Sequence, residues 1–493
     1  MTERAPDPGE ILSLIPASLS LDTLRGAGVL PLRRDGEDLV LGVSSVEAYG
    51  NAQLLSRAFE GKTRIEFADP VLLNGLFDRL YSLRSRIASD DVEAIEGVED
   101  LDSAAREDIQ SDSVSAPVIR LVNSLFFEAV KERATDIHVE PFEDRCEIRF
   151  RVDGVLHDKL TLPKTHQSPL TTRIKVMARM DISERFSPQD GRIGIAVGGR
   201  SVDIRVGAVP TQHGERLALR LLDKREGLLT LEQLGMPGKS RETLEGMISR
   251  PYGMILFTGP TGSGKTTSLY AVLQMLARPE VNVITVEDPI EYDLPGVGQI
   301  QVNEKAGVTF ASALRAILRQ DPDIIMVGEM RDFETAHMGV QASLTGHLVL
   351  STLHTNDAPS AVVRLADMGV EPYLVAGSLL GVVAQRLVRK VCPSCSAEAE
   401  APASMRKLGI DTVRRGTGCE RCMGTGYFGR SGLYEFLVMD DELKEAVSRG
   451  ATSSGIRGIA REKGFKSLWE LGLKRVRQGL TTPEELYRAV GEA

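Results

Sequence analysis

At 493 residues the chain is too long for a single core, and 42% apolar with 26% charged residues is the composition of a folded, multi-domain protein. Fifty-nine Lys and Arg against 69 Asp and Glu leave a net charge of −10, which argues against a nucleic-acid backbone as the main partner. The longest uncharged apolar run, Leu374 to Ala384, falls well short of the ~20 residues that span a bilayer, so any membrane role is expected to be peripheral.

Met1 to Glu10 is acidic, contains proline and has no apolar stretch, so no signal peptide is expected. Residues 1–88 read as a small α/β or α+β module. Leu39 to Val43 has the pattern of a strand, and Asp69-Pro70 has the chemistry of a helix start. Leu72, Leu73, Leu76, Leu80 and Leu83 would follow on one helical face. Residues 89–115 carry ten Asp and Glu against one basic residue with little apolar periodicity, which marks an acidic linker.

A second α+β unit, 116–225, opens with Val118, Leu121, Val122, Leu125 and Ala129 at helical spacing, then alternates as a strand from Cys146 to Val152. Asp153-Gly154 reads as a hairpin turn. Apolar positions alternate again at Val202, Ile204, Val206 and at Leu217, Leu219, Leu221, which places Arg151, Arg205 and Arg220 on the opposite faces of their strands. A solvated sheet face and a basic surface that meets phosphates both fit this pattern. Cys146, inside a strand, reads as a small buried apolar residue.

After a linker at 226–239, residues 240–390 have the alternation of a nucleotide-binding core. Gly259, Pro260, Thr261, Gly262, Ser263, Gly264, Lys265 and Thr266 match G-x-x-x-x-G-K-[ST], between the apolar run Met254 to Thr258 and a helical pattern from Thr267 to Leu276. Glycines let the backbone curl around an anion with its N–H groups turned inward, and the following helix adds the positive end of its dipole. Lys265 would reach the β- and γ-phosphates, and the Thr266 hydroxyl would hold the magnesium ion that bridges them. Further strands are expected at Val281 to Val286, Asp323 to Val327 and His347 to Ser351. Strands separated by helical patterns imply a parallel sheet, in which ligands bind at the carboxyl ends. Those ends carry Glu287, Glu329 and His354. Glu329 is placed to orient a water or support the magnesium shell, Glu287 competes for the same work, and His354 is placed as a γ-phosphate sensor or water ligand. Arg315 and Arg319 share a helix face, either solvated or against a neighbouring subunit.

Cys392-x-x-Cys395 and Cys419-x-x-Cys422 can supply four thiolates to a tetrahedral ion, with zinc the expected metal and a redox dithiol the alternative, within a module at 391–435. Five cysteines, four of them in these two pairs, suit a reducing compartment such as the cytoplasm. Residues 436–493 are helical in pattern and hold the single tryptophan, Trp469.

Gly259 to Thr266, Ile284 to Tyr292 (ITVEDPIEY), Asp321 to Glu329 (DPDIIMVGE) and Leu344 to His354 (LTGHLVLSTLH) resemble the Walker A, Asp, Walker B and His boxes of the secretion ATPase superfamily. The resemblance runs from about Ala116 to Asp440 and takes in Ala134 to Glu140 (ATDIHVE), Phe150 to Gly154 and the cysteine pairs. It is strongest to the type II secretion ATPases, the general secretion pathway E proteins, with the type IV pilus assembly ATPases as near relatives. It implies a multi-domain α/β P-loop NTPase with a RecA-like parallel sheet. α+β N-terminal domains, the second PAS-like, would precede the sheet, and a zinc module and a helical C-terminal region would follow it. It implies ATP, Mg2+ and Zn2+, a homo-hexamer at the cytoplasmic face of the inner membrane, and hydrolysis that drives pseudopilus assembly and export of folded proteins. It also implies that Arg151, Arg205 and Arg220 approach the nucleotide, and that residues 1–88 dock on inner-membrane platform proteins. A nucleic-acid translocase is disfavoured by the acidic balance and the lack of an aromatic-basic stripe. A nucleotide-gated binding protein could dispense with Glu329.

Overall fold

The structure, a computed structural model, describes residues 10–80 apart from 12–13, 17–18, 20, 37, 60–61, 71 and 78, and then 112–197, 200–223 and 229–491. Leu83, nearly all of the acidic stretch 89–115 and the start of the 226–239 linker lie outside the described residues. The chain divides into two compact units, 1–225 and 226–493.

In the first unit, α1 (Leu21–Ala27) and α2 (Val46–Leu55) pack on a small sheet in which β1 (Val29–Asp35) pairs antiparallel with β2 (Asp38–Val43), and β2 pairs parallel with β3 (Lys62–Phe67). Leu24, Leu30 and Leu41 are fully enclosed. Ser45 accepts from the Ala48 N–H and starts α2. Leu73, Leu76 and Leu80 join this core as their spacing predicts, whereas Leu72 is turned out and 47% exposed.

The same unit contains a six-stranded sheet ordered β6-β5-β4-β9-β8-β7. Its strands are β4 (Ala134–Pro141), β5 (Arg145–Val152), β6 (Val155–Pro163), β7 (Gln189–Val197), β8 (Arg200–Thr211) and β9 (Gly214–Asp223). All its pairings are antiparallel. Strict alternation in β5 buries Cys146, Ile148, Phe150 and Val152 against α3 (Asp112–Lys131) and α4 (Gln167–Met177). The hairpin from β5 to β6 turns on Asp153 and Gly154, both at positive φ (49° and 85°), the backbone that an Asp-Gly pair tolerates.

The second unit is built on a seven-stranded sheet ordered β12-β11-β13-β14-β10-β15-β18. Its strands are β10 (Gly253–Thr258), β11 (Val283–Glu287), β12 (Val297–Gln301), β13 (Ile324–Val327), β14 (Leu348–Leu353), β15 (Leu379–Val391) and β18 (Tyr427–Val438). The four expected strands are present within two residues of their sequence bounds, and every neighbour is parallel except the last, β15 with β18. All six residues of β10 are buried; Met254 and Leu256 face one core, Ile255 and Phe257 the other. Covering both faces of a parallel sheet leaves only the strand ends for chemistry.

The C-terminal part departs from the expected modular boundaries. The cysteine segment, with the small hairpin β16 (Ser396–Glu400) and β17 (Thr412–Gly416), is an excursion between β15 and β18, so both its ends are strands of the main sheet. The tail is helical as expected, in α11 (Asp441–Ser448), α12 (Ser453–Glu462), α13 (Leu468–Arg477) and α14 (Pro483–Val490), but Ile456, Val476 and Leu486 pack into the same core as β10. Trp469 lies against Tyr487 with ring centroids 5.0 Å apart.

Candidate active site and metal centre

β10 ends at Thr258, and the loop from Gly259 to Gly264 leads into α5 (Lys265–Leu276). Gly259 and Gly264 have φ of 150° and 88°. A Cβ on Gly259 would stand 2.5 Å from the Gln385 carbonyl oxygen, and one on Gly264 would stand 2.9 Å from the Gln385 side-chain nitrogen. Close approach as well as backbone freedom therefore demands glycine at both positions. The helix has no side-chain cap at Gly264, so its first N–H groups point into the loop free for an anion's oxygens.

Lys265 is 8% exposed, and its ammonium donates to the carbonyls of Gly259 at 2.7 Å and Pro260 at 3.2 Å. Burial brings its pKa down to about 8; Glu329 opposes the shift and Arg386 adds to it. Phosphate oxygens would compensate that loss of hydration. Pro260, Thr261, Gly262 and Thr266 are exposed, Thr267 is half-buried and Ser263 is buried, so the Thr266 hydroxyl is open to a magnesium ion held by phosphates.

Glu329 follows β13 by two residues. Its backbone is fixed on both sides, by the Gly328 N–H to Val286 O (2.8 Å) and the Met330 N–H to Thr352 O (3.1 Å). The carboxylate is 12% exposed, 2.6 Å from Arg331 Nη2 and 3.5 Å from His354 Nε2. Burial and the positive charge of Lys265 hold the His354 imidazole below its ordinary pKa, while Glu329 pulls the other way. Neutral imidazole beside a carboxylate can position water.

Glu287, the other candidate for the work of Glu329, has its carboxylate engaged within the fold. It is 3% exposed, and it accepts from the Tyr270 hydroxyl, from Thr285 Oγ1 (2.6 Å) and from Gln299 Nε2 (2.9 Å). Its oxygens are occupied by donors of its own chain, and they tie α5 to β12. His347 is a local group: its Nδ1 lies 2.9 Å from the Ala342 carbonyl, closing the turn before β14. Arg315 pairs with Glu334, and Arg319 Nη1 donates to the Arg315 carbonyl at 2.8 Å.

Arg151, Arg205 and Arg220 stand in the first unit, in one cross-strand row of the six-stranded sheet. Asp136 pairs in register with Arg151 and Arg220, Arg220 with Arg205, and Arg205 with Arg192. Asp136 lies 3.1 Å from Arg220 Nε and 3.7 Å from Arg151 Nε. One carboxylate thus stands among four guanidinium positions, and the row is strongly cationic.

The sulfurs of Cys392, Cys395, Cys419 and Cys422 all lie within 4.8 Å of one another. Ligands at ~2.3 Å from a tetrahedral ion stand ~3.8 Å apart. Cys392 to Cys419 and Cys395 to Cys422 are both 3.8 Å, and Cys419 to Cys422 is 3.6 Å. These separations are far beyond the ~2.05 Å of a disulfide and have the size of a tetrathiolate cage. Burial works against ionisation of Cys422, but the N–H groups of Cys419 and Gly426 donate to its sulfur and bring the thiol down to about 6. Cys146 is fully buried, and burial pushes its thiol up to about 11.

Sequence reading missed Arg386. Its signal was the one that exposed Glu329: a charge one residue beyond an uninterrupted apolar run, here Leu379 to Ala384.

A strand, a glycine loop and a helix whose lysine faces a carboxylate from the next parallel strand but one define a P-loop nucleoside triphosphatase. The family described as type II/IV secretion system protein matches residues 111–488, and the chain belongs to it. It is 53% identical over 378 residues to the type II secretion system protein HxcR of Pseudomonas aeruginosa, covering 77% of this chain and 78% of that one. It is 51% identical over 394 residues to the type II secretion system ATPase E of Vibrio cholerae, with 78% of each chain covered. Among solved structures, that of the pilus retraction motor PilT with ADP is similar at 26% identity and a TM-score of 0.51, over 74% of this chain and 95% of that one. The Legionella pneumophila ATPase DotB shares the fold at 21% identity and a TM-score of 0.57, over 78% of this chain and 97% of that one. The protein is an ATP-hydrolysing enzyme of the type II secretion ATPases.

Proposed function

We propose that the protein is the hexameric motor of a type II secretion system, working at the cytoplasmic face of the inner membrane, where ATP turnover drives pseudopilus assembly and export of folded proteins. The observation that carries this reading is the convergence of Lys265, Glu329 and His354 at the ends of three adjacent parallel strands. Lys265 and the α5 N-terminus bind the phosphates, Thr266 holds magnesium, and Glu329 with His354 orients the attacking water. Glu287 keeps α5 and the 288–292 segment in place through Tyr270. The arginine row of the first unit supplies further positive charge to nucleotide in the ring.

The four thiolates hold zinc as a structural ion, with no coordination position left for substrate. Residues 1–88 dock on inner-membrane platform proteins. Among the described residues no helix is long and apolar enough to cross a membrane, so recruitment through a protein partner fits the chain.

Paired variants of the full-length protein test the catalytic assignment. Lys265→Ala is expected to lose nucleotide binding and turnover together. Glu329→Gln is expected to retain ATP while turnover falls roughly 10²- to 10⁴-fold. Parental turnover in the glutamine variant would overturn the role given to Glu329.

A further inference from the structure

β15 runs beside β10 in parallel register, Thr258 opposite Ala384, so residues 385 and 386 lie alongside the start of the phosphate loop. β14 flanks β10 on its other side and delivers His354, Thr355 and Asn356 at the same end. The Arg386 side chain crosses from one flank to the other. Its Nη2 donates to the Asn356 carbonyl at 3.3 Å and to Asn356 Oδ1 at 3.2 Å, and its Nη1 donates to the Gln385 carbonyl at 3.2 Å. A Cβ on Gly259 would come within 3.2 Å of Nη1, so the guanidinium lies directly against the first residue of the phosphate loop. A second tie holds the same loop. The Thr355 N–H donates to Thr258 Oγ1 at 2.9 Å, and the two threonine hydroxyls are 2.8 Å apart.

The structure assigns Arg386 as a positioning residue for ATP hydrolysis: it straps the loop that bears His354, through Asn356, to β15 beside the phosphate loop, across the end of β10. Only a guanidinium offers donors in the fixed fork that reaches two acceptors of Asn356 and a carbonyl of β15 at once. Arg386 would act on the chemical step through the register of His354 with Glu329, without touching the reacting atoms. Its charge also bears on Lys265 from beside the loop, so the strap and the phosphate-binding lysine sense each other. This inference rests on the role given above to His354.

Steady-state ATP hydrolysis by the full-length protein, with ADP affinity measured by titration of a fluorescent ADP analogue, separates the alternatives. Arg386→Ala and Asn356→Ala are each expected to lower kcat roughly tenfold or more, the scale of a sub-ångström to 1 Å misplacement. KM for ATP and ADP affinity should stay within about threefold, and the double variant should be no slower than the slower single one. Arg386→Lys, which keeps the charge and loses the fork, should behave as Arg386→Ala. Asn356 is exposed, so its variant reads the strap even where Arg386→Ala folds poorly.

Weaker ADP binding with unchanged kcat in Arg386→Ala would make Arg386 a phosphate ligand and overturn the strap. Parental kcat in Asn356→Ala, or full recovery by Arg386→Lys, would overturn it as well. If His354→Ala is slow while the Arg386 and Asn356 variants are normal, only the strap fails. If His354→Ala turns over at the parental rate, the role of His354 fails and the strap's purpose with it.

Discussion

The two large sheets of this protein solve the placement of polar chemistry in opposite ways. In the second unit the parallel sheet is covered on both faces, every residue of β10, β13 and β14 is buried, and the working groups stand just past the strand ends. In the first unit the antiparallel sheet buries one face only, and Arg205 and Arg220 stand inside their strands on the other. A buried parallel sheet concentrates function at a line of loop residues fixed by backbone bonds. A half-covered antiparallel sheet spreads charge over an area. Substitutions in strand middles should therefore destabilise the second unit on either face of its sheet, and the first unit only on the face packed against its helices.

The excursion between β15 and β18 has neither resource, because its hairpin of five-residue strands is too small for a core of its own. It should depend on metal more than any other part of the molecule. Apparent metal-binding energies of small zinc modules are on the order of 10 kcal/mol. Cys422→Ser, or prolonged chelation, is expected to release zinc and open residues 391–427 to protease while β10 and its neighbours stay protected. Metal analysis that finds no zinc in freshly purified protein would remove the basis for this expectation.

Within the second unit, Phe257→Ala empties a fully enclosed site in the middle of the sheet and should cost about 3–5 kcal/mol of stability. A denaturant midpoint close to the parent's would mean that β10 is not the core strand its burial makes it.

A titration should sharpen the contrast between buried and half-covered carboxylates. Glu435 on β18 is 2% exposed and accepts the N–H groups of Ala358 at 2.8 Å and Leu468 at 2.9 Å, so it joins the start of the helix after the His354 loop to the start of α13. Burial raises its pKa to about 7, against the pull of those two N–H groups. The folded state therefore holds this proton up to near pH 7, while the unfolded chain releases it near 4.5. Its favourable contribution is complete below the lower value and is lost as pH rises through the upper one, by about 1–3 kcal/mol. Glu435→Gln should flatten that part of the melting-temperature profile between pH 5 and 8. Profiles of identical shape in the two proteins would assign the titration to another group.

What was legible in the sequence follows the same division. The glycine loop, Glu329, His354 and the cysteine pairs obey local rules: a strand end, a fixed spacing, a helix start. Glu287 obeyed the strand-end rule too, yet Tyr270 and Gln299 occupy it, because residues 17 and 12 positions away in sequence are brought beside it by the fold. Arg386 and Glu435 act through partners 30, 77 and 33 residues distant, and no periodicity encodes such meetings. The pairing of β15 with β18 around the cysteine excursion was hidden for the same reason. A module boundary inferred from composition cannot show that both ends return to one sheet.

The smallest expected effect on stability is also the sharpest test of the first unit. Asp136 meets Arg220, whose side chain is 58% exposed, and Arg151, which also donates to the Gly154 carbonyl at 3.1 Å. Asp136 is 14% exposed and keeps Arg151 nearby when Arg220 is removed, while the Arg220 end is screened by water and its long side chain must be ordered, so this pair contributes at most ~1 kcal/mol. Arg220→Ala should therefore change the unfolding midpoint little, in line with the exposed face on which it stands. A merely solvated row would leave ATP turnover unchanged as well. A row that serves nucleotide in the assembled ring would lower turnover in Arg220→Ala while stability holds, and it would do so more steeply at low salt, where the field of several guanidinium groups reaches furthest. Hydrolysis at two ionic strengths, measured beside the melting curve, decides between them. Parental turnover at both would return the arginines to the solvated face that their alternation alone implies.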